Sequence, residues 1–211
     1  VVIGILIALF LDEQKDYRED RRQEKIYLVE LQRDLERNLK ELDRVIAKSG
    51  DILAACDSVI AYSQRTPEKV PGDSLLFYME NLMGYTKHMT RQGTIEDLLG
   101  SGKLEVLQND SIRRAVATWD ADLILSRELE EDAKMAFQGY GGYLDLHLPM
   151  YKRPDMEMVK RELLSEMLYL NQVTNRAITI DYLHRTYLEI RPRWQRLLEV
   201  VGQELQAGRL R

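Results

Sequence analysis

From Leu28 onward, apolar residues recur at steps of three and four: Leu28, Leu31, Leu35, Leu39, Leu42 and Ile46. That spacing places them on one side of an α-helix. The rhythm continues through Ser49, Ile52, Cys56, Val59 and Ile60, with Gly50 as the weak point. A glycine inside a helix costs about 1 kcal/mol relative to alanine, which a long helix absorbs. Just upstream, Asp12 to Lys25 carries charges on nearly every helical face and no apolar stripe. This predicts a solvated helix supported by neighbouring charges. Further back still, Val1 to Leu11 contains no polar side chain at all. Residues 1–64 therefore read as one rod, with Gly50 the place for any bend.

The loop 65–73 holds two prolines and a Gly-Asp turn signal, and a short helix follows from Ser74 to Leu82. A third helix is predicted from the stripe Ile112, Val116, Trp119, Leu123, Ser126, Leu129, Ala133 and Phe137. The stretch 137–155, with three glycines, two prolines and three tyrosines, predicts a break and a loop. The last helix carries Met167, Leu170, Val173, Ala177, Ile180, Leu183, Tyr187, Ile190, Trp194, Leu197, Val201 and Leu205 on one face. Pro192 falls inside that pattern and is expected to bend it on the solvent side. Sustained two-residue alternation and repeats of solenoid length are both lacking. The predicted fold is all-α: an antiparallel four-helix-bundle-like domain, residues 12–211, with long first and last helices and a solvated rod at 12–30.

Composition narrows this only slightly. The 211 residues are 31% charged with a net charge of −5, which argues against a nucleic-acid partner, because such a protein needs a basic face. The single cysteine, Cys56, excludes an internal disulfide and a cysteine zinc site.

Candidate chemistry is thin. LLGSGKLE resembles a phosphate loop, but Asp97 stands where the first glycine belongs, Leu104 follows Lys103, and the preceding segment is helical. A structural corner explains it better. Thr94 caps a helix with Asp97 approximating a capping box, and Gly100 or Gly102 provides the left-handed stop. Leu98, Leu99, Leu104 and Leu107 then plug the bundle end. His88, His147 and His184 show no metal-ligand spacing, and the nearest approach to a di-iron motif is one Asp181-Tyr-Leu-His184 without a second copy. Neither a catalytic constellation nor a cofactor is expected. Tyr140, Tyr143 and Tyr151, in the expected 137–155 loop, are the candidate partner-binding residues, since tyrosine is favoured at interfaces and long loops are often functional. The arginines 185, 191, 193 and 196 read as a solvated helix face with Glu189 and Glu199.

Three readings of Val1, Val2, Ile3, Gly4, Ile5, Leu6, Ile7, Ala8, Leu9, Phe10 and Leu11 compete. A signal peptide would end in small residues at a cleavage site, and a soluble core helix would show a polar face. The remaining reading is the C-terminal part of a transmembrane helix whose first half lies upstream, because this run makes only about 16 Å of helix. Gly4 and Ala8 form a small-xxx-small pair suited to close helix contact in lipid. The bilayer is thus the first expected partner.

GILIAL followed by a charged helix, then Glu24, Tyr27, Leu28, Leu31, Asp34 and Leu35 in an E-x-x-Y-L-x-x-L-x-x-D-L run, resembles a family of uncharacterised single-pass bacterial (Bacteroidetes-type) membrane proteins, a domain of unknown function. Thr94-Ile-Glu-Asp-Leu-Leu-Gly-Ser-Gly-Lys-Leu is similar to that family's Thr-Tyr-x-Glu-Leu-x-Ser-Ser-Gly-x-Leu, with Ile95 in place of tyrosine. The membrane exit also differs, being Asp12-Glu13-Gln14-Lys15 rather than rich in Asn and Trp. The resemblance implies an inner-membrane anchor with the domain in the periplasm, and no known activity. The expectation is a non-enzymatic interaction or scaffold module, oligomeric or bound to a protein partner through its first helix. A sensory ligand-binding bundle is the alternative, and an enzyme of unknown class the third reading.

Overall fold

The computed structural model describes residues 2–149 and 151–208. Val1 of the expected membrane segment lies outside the described residues, and for Val2, Gly4, Leu6, Ile7, Ala8 and Leu9 only the helical backbone is described. Among the described residues seven α-helices follow in order: α1 Val2–Ser63, α2 Gly72–Leu82, α3 Gly93–Gly100, α4 Asp110–Ala117, α5 Trp119–His147, α6 Met156–Arg161 and α7 Met167–Ala207. Single 3₁₀ turns stand at Pro67–Lys69, Lys103–Val106 and Leu163–Ser165, and no strand occurs among the described residues. The fold is an all-α helical bundle in which the long first and last helices pack together.

The 62-residue α1 passes through Gly50 as one helix. Its stripe is buried as the spacing requires: Leu28, Leu31, Leu35, Leu39, Leu42, Ile52, Cys56 and Val59 all face core. Residues 11–20 are exposed on every side, so that segment is a solvated helix without an apolar face. α7 likewise continues through Pro192, where Arg191, Pro192 and Arg193 are exposed. The carbonyl that a proline leaves unbonded can turn to water there.

Two expectations need correction. The 137–155 loop is shorter than predicted, because α5 runs through Gly139, Gly141 and Gly142 to His147. The buried stripe Ala133, Ala136, Tyr140, Tyr143, Leu144 and Leu148 keeps helical spacing across those glycines, and tertiary burial outweighs their propensity. The break falls instead at Thr118, between α4 and α5. Its hydroxyl donates to the Arg114 carbonyl at 3.0 Å, and its own N–H donates to the same oxygen at 3.1 Å.

Contacts gather the chain into two compact units: Val1–Glu41 with Met89–Asp122 and Arg191–Arg211, and Leu42–His88 with Leu123–Ile190. Three of the four boundaries fall inside α1, α5 and α7, and the fourth lies between His88 and Met89. In the first unit the core is built around Leu31, Leu35, Leu98, Leu107, Ile112, Val116 and a stacked pair, Trp119 and Trp194, with ring centroids 4.7 Å apart and planes at 15°. In the second, α2, α5, α6 and α7 bury Leu75, Leu82, Tyr140, Val159, Tyr169, Val173 and Leu183 with the α1 residues Ile52, Cys56 and Val59.

Candidate functional site

Within the first unit, α1 presents polar side chains at positions 24, 27, 34 and 38, steps that keep them near one helix face. Each holds a piece of the chain between Met89 and Asn109, Tyr27 and Asp34 by meeting α3 and Glu24 and Asn38 by meeting the segments on either side of it. Glu24 is buried, pairs with Arg21 at 2.9 Å and accepts from the Gln108 N–H at 2.6 Å. The Tyr27 hydroxyl donates to Asp97 at 2.8 Å, and the Thr94 hydroxyl donates to Asp34 at 2.7 Å. Asn38 donates its amide to the Arg91 carbonyl and accepts from the Arg91 N–H, both at 2.7 Å. The two motifs that stood out in sequence, 24–35 and 94–104, therefore clasp one another.

This revises the corner. Gln92, not Thr94, is the residue before α3, and no side chain caps that helix. Thr94 and Asp97 turn to α1 instead of forming a capping box. Gly100 ends α3, and Gly102 takes the left-handed conformation (φ 68°), which glycine adopts without a Cβ penalty. Leu98 and Leu107 are buried, while Leu99 stays exposed. Asn109 caps α4 by accepting from the Ser111 and Ile112 N–H groups, and its amide donates to Glu204 of α7 at 3.1 Å. Nearby, a groove of 270 Å³ opens between Tyr17, Arg21 and Leu28 of α1 and Leu205 and Ala207 of α7.

At the start of α1, Ile3, Ile5, Phe10 and Leu11 are all exposed, Ile3 by 74%. Among the described residues no helix is long and apolar enough to cross a membrane.

The second unit holds the tyrosines singled out in sequence, and it separates them. Tyr140 and Tyr143 are buried in α5; only Tyr151 is exposed, by 87%. Tyr140 and Tyr169 hydroxyls lie 3.5 Å apart, and Tyr143 donates to Glu166 while its ring stacks on His147. Burial raises the Tyr140 hydroxyl well above its ordinary value and Tyr169 to about 12.

Arg176 is fully buried, and among the described residues no carboxylate pairs with it. Its guanidinium donates to the Ala133, Leu82 and Gly84 carbonyls at 3.0, 3.1 and 2.6 Å, and stands over the Phe137 ring at 5.5 Å. The cation thus closes the C-terminal end of α2, where helix carbonyls carry partial negative charge. Desolvation lowers its pKa. Gly84 is required in this turn, since a Cβ would come within 2.8 Å of the Asn81 carbonyl. Elsewhere in the unit, buried Glu130 accepts from the His88 N–H at 3.0 Å and the Tyr187 hydroxyl at 2.7 Å, and Ser49 meets His184 Nδ1 at 2.7 Å. Burial, then the Glu130 charge, push the Tyr187 hydroxyl up. The three histidines keep separate partners, and among the described residues no group of three His, Cys, Asp or Glu side chains can hold a metal.

Arg176, Asn38 and Glu130 escaped sequence reasoning. Asn38 lies beside Leu39 within the α1 stripe, and Arg176 beside Val173 and Ala177 in the α7 stripe, so a polar residue at a core-facing position was the available signal.

Comparison of the chain with family models, with curated proteins and with solved structures finds no match in any of the three.

Proposed function

We propose that the chain is a non-enzymatic interaction module of the bacterial envelope, anchored in the inner membrane by the apolar start of α1, with its helical domain in the periplasm. The observation that carries this reading is the exposed apolar group Ile3, Ile5, Phe10 and Leu11 on a helix that continues without a break into the bundle. Exposed apolar surface of that kind calls for lipid or a protein partner. The abrupt change at Asp12 and the resemblance to single-pass membrane proteins support lipid for this segment. A protein partner is supported by the outer face of α7 in the second unit, where Leu168, Asn171, Asn175, Ile178 and Tyr182 share one exposed side. The polar side chains gathered inside each unit are engaged with backbone groups and with one another, which favours a structural over a catalytic role.

The test is membrane fractionation combined with crosslinking of the protein in its native membrane. Wild type stays with the membrane after a high-salt and alkaline wash, and Ile5→Asp with Phe10→Asp releases it, each charge costing about 3 kcal/mol in a bilayer interior. Crosslinking traps an oligomer or a discrete partner, and Ile178→Asp with Tyr182→Asp abolishes the adduct. Release of wild type by salt would sink the anchor, and recovery of monomer alone would sink the interaction role.

A further inference from the structure

Two stretches of the second unit differ from the rest of the chain in charge. The protein is 31% charged, yet residues 135–144 of α5 and 167–180 of α7 carry a single charged side chain, Arg176, and it is buried. The two stretches are neighbours in space. The Tyr140 and Tyr169 hydroxyls lie 3.5 Å apart, and the Gln172 amide oxygen stands 3.0 Å from where a Cβ on Gly139 would be. Their outer sides form two exposed rows at helical spacing: Met135, Gly139 and Gly142 on α5, and Leu168, Asn171, Asn175 and Ile178 on α7.

We propose that this face docks a second copy of the chain, α5 and α7 of one copy against α5 and α7 of the other in a four-helix contact. The proposal rests on the interaction role given above and names the partner. Depletion of charge marks the centre of a protein interface, whereas a solvated helix face is rich in it. A twofold contact sets the face against its own image, so a net charge there would repel itself. Apolar groups escape that cost. Amides and hydroxyls escape it too, because each carries donor and acceptor together and pairs with its own kind. The exposed polar side chains of the two stretches are Gln138, Asn171, Thr174 and Asn175, all of that sort. Hydrocarbon suits this set poorly, since it offers the amides no partner. A protein recognised by opposite charge has nothing to read there. Gly142 has nothing within 4 Å of its Cβ position, which leaves the α5 backbone open to a partner helix. The rows continue into the exposed Leu146 and Tyr182. The face is then about 20 Å long and about 20 Å across its two helices. That is roughly 400 Å² of flat footprint, more once the helix ridges are followed, and it approaches the ~800 Å² that each partner in a standard complex buries.

The test is sedimentation equilibrium of the full chain in density-matched detergent, with charges placed on the face. Asn175 is exposed and the Gly142 Cβ position is open, so Asn175→Arg, Asn175→Glu and Gly142→Arg fold as wild type does, which far-UV circular dichroism checks. Wild type is a dimer, and each variant alone associates about ten-fold more weakly, equivalent to about 1.4 kcal/mol. An equimolar mixture of Asn175→Arg and Asn175→Glu associates as wild type does, because each face then meets an opposite charge. A dimer that ignores all three variants would overturn the proposal, as would single variants that the mixture does not rescue. A monomeric wild type overturns it too, and crosslinking in the native membrane then separates two cases. An Ile178-dependent adduct with a different protein keeps the interaction role, whereas monomer alone ends both.

Discussion

The two units meet the same requirement by different means. Each contains irregular chain whose buried backbone groups need partners. In the first unit, Glu24 and Asn38 take backbone groups of Gln108 and Arg91 while Tyr27 and Asp34 hold the α3 side chains of Asp97 and Thr94, four residues spread over four turns of α1. In the second, one guanidinium, that of Arg176, takes carbonyls from three places, two of them at the end of α2. Distributed contacts tolerate the loss of one member. A single buried cation does not, because its removal strands several acceptors at once.

Alkaline pH is the strongest way to break this comparison. Cys56, Tyr140, Tyr169 and Tyr187 all belong to the second unit, and burial raises each, Cys56 and Tyr169 to about 12. A group whose folded value exceeds its unfolded one contributes fully below the unfolded value and loses that contribution as pH rises toward the folded one. The second unit is therefore expected to lose its structure as pH climbs from about 9, near the ordinary thiol and phenol values, toward 12. Tyrosinate absorbance measures this loss, and both tryptophans, Trp119 and Trp194, report on the first unit in the same titration.

Next in size is Arg176→Ala, expected to lower unfolding free energy by about 4 kcal/mol in urea titrations, from stranded carbonyls and lost packing. Asn38→Ala should cost about 2 kcal/mol and speed amide exchange around Arg91, leaving the Leu82–Gly84 turn unchanged. The smallest effect is Tyr27→Phe, about 1 kcal/mol by thermal unfolding, since the ring stays buried and one hydrogen bond is lost. Equal losses from Asn38→Ala and Arg176→Ala would erase the distinction between shared and single-point support.

The helices were legible wherever an apolar stripe ran unbroken, as in α1 and α7. Pro192 did not obscure α7, because it sits on the exposed side of a helix whose other face is fully committed. Past Phe137 a local reading ends α5 too early, because three glycines count heavily there. The buried series Tyr140, Tyr143, Leu144 and Leu148 at helical spacing was the stronger signal. The clasp was legible only as a pair of motifs. Nothing local says that Tyr27 meets Asp97 or that Asp34 meets Thr94, because pairing across 60 or 70 residues is fixed by packing. For the second unit, the sequence supplied the tyrosines 140, 143 and 151. Which of them point inward depended on how far α5 extends.

Cys56 is the chain's one cysteine, enclosed in the core and with its thiol pushed up to about 12. Thiol reagents are attacked by the thiolate, so the natural protein is a silent background for them. A cysteine placed at Leu146 or Tyr151, where side chains are 84% and 87% exposed, becomes the sole reactive sulfur. A reagent that cannot cross a bilayer would then test the proposed periplasmic placement of the bundle, with no native residue to remove first.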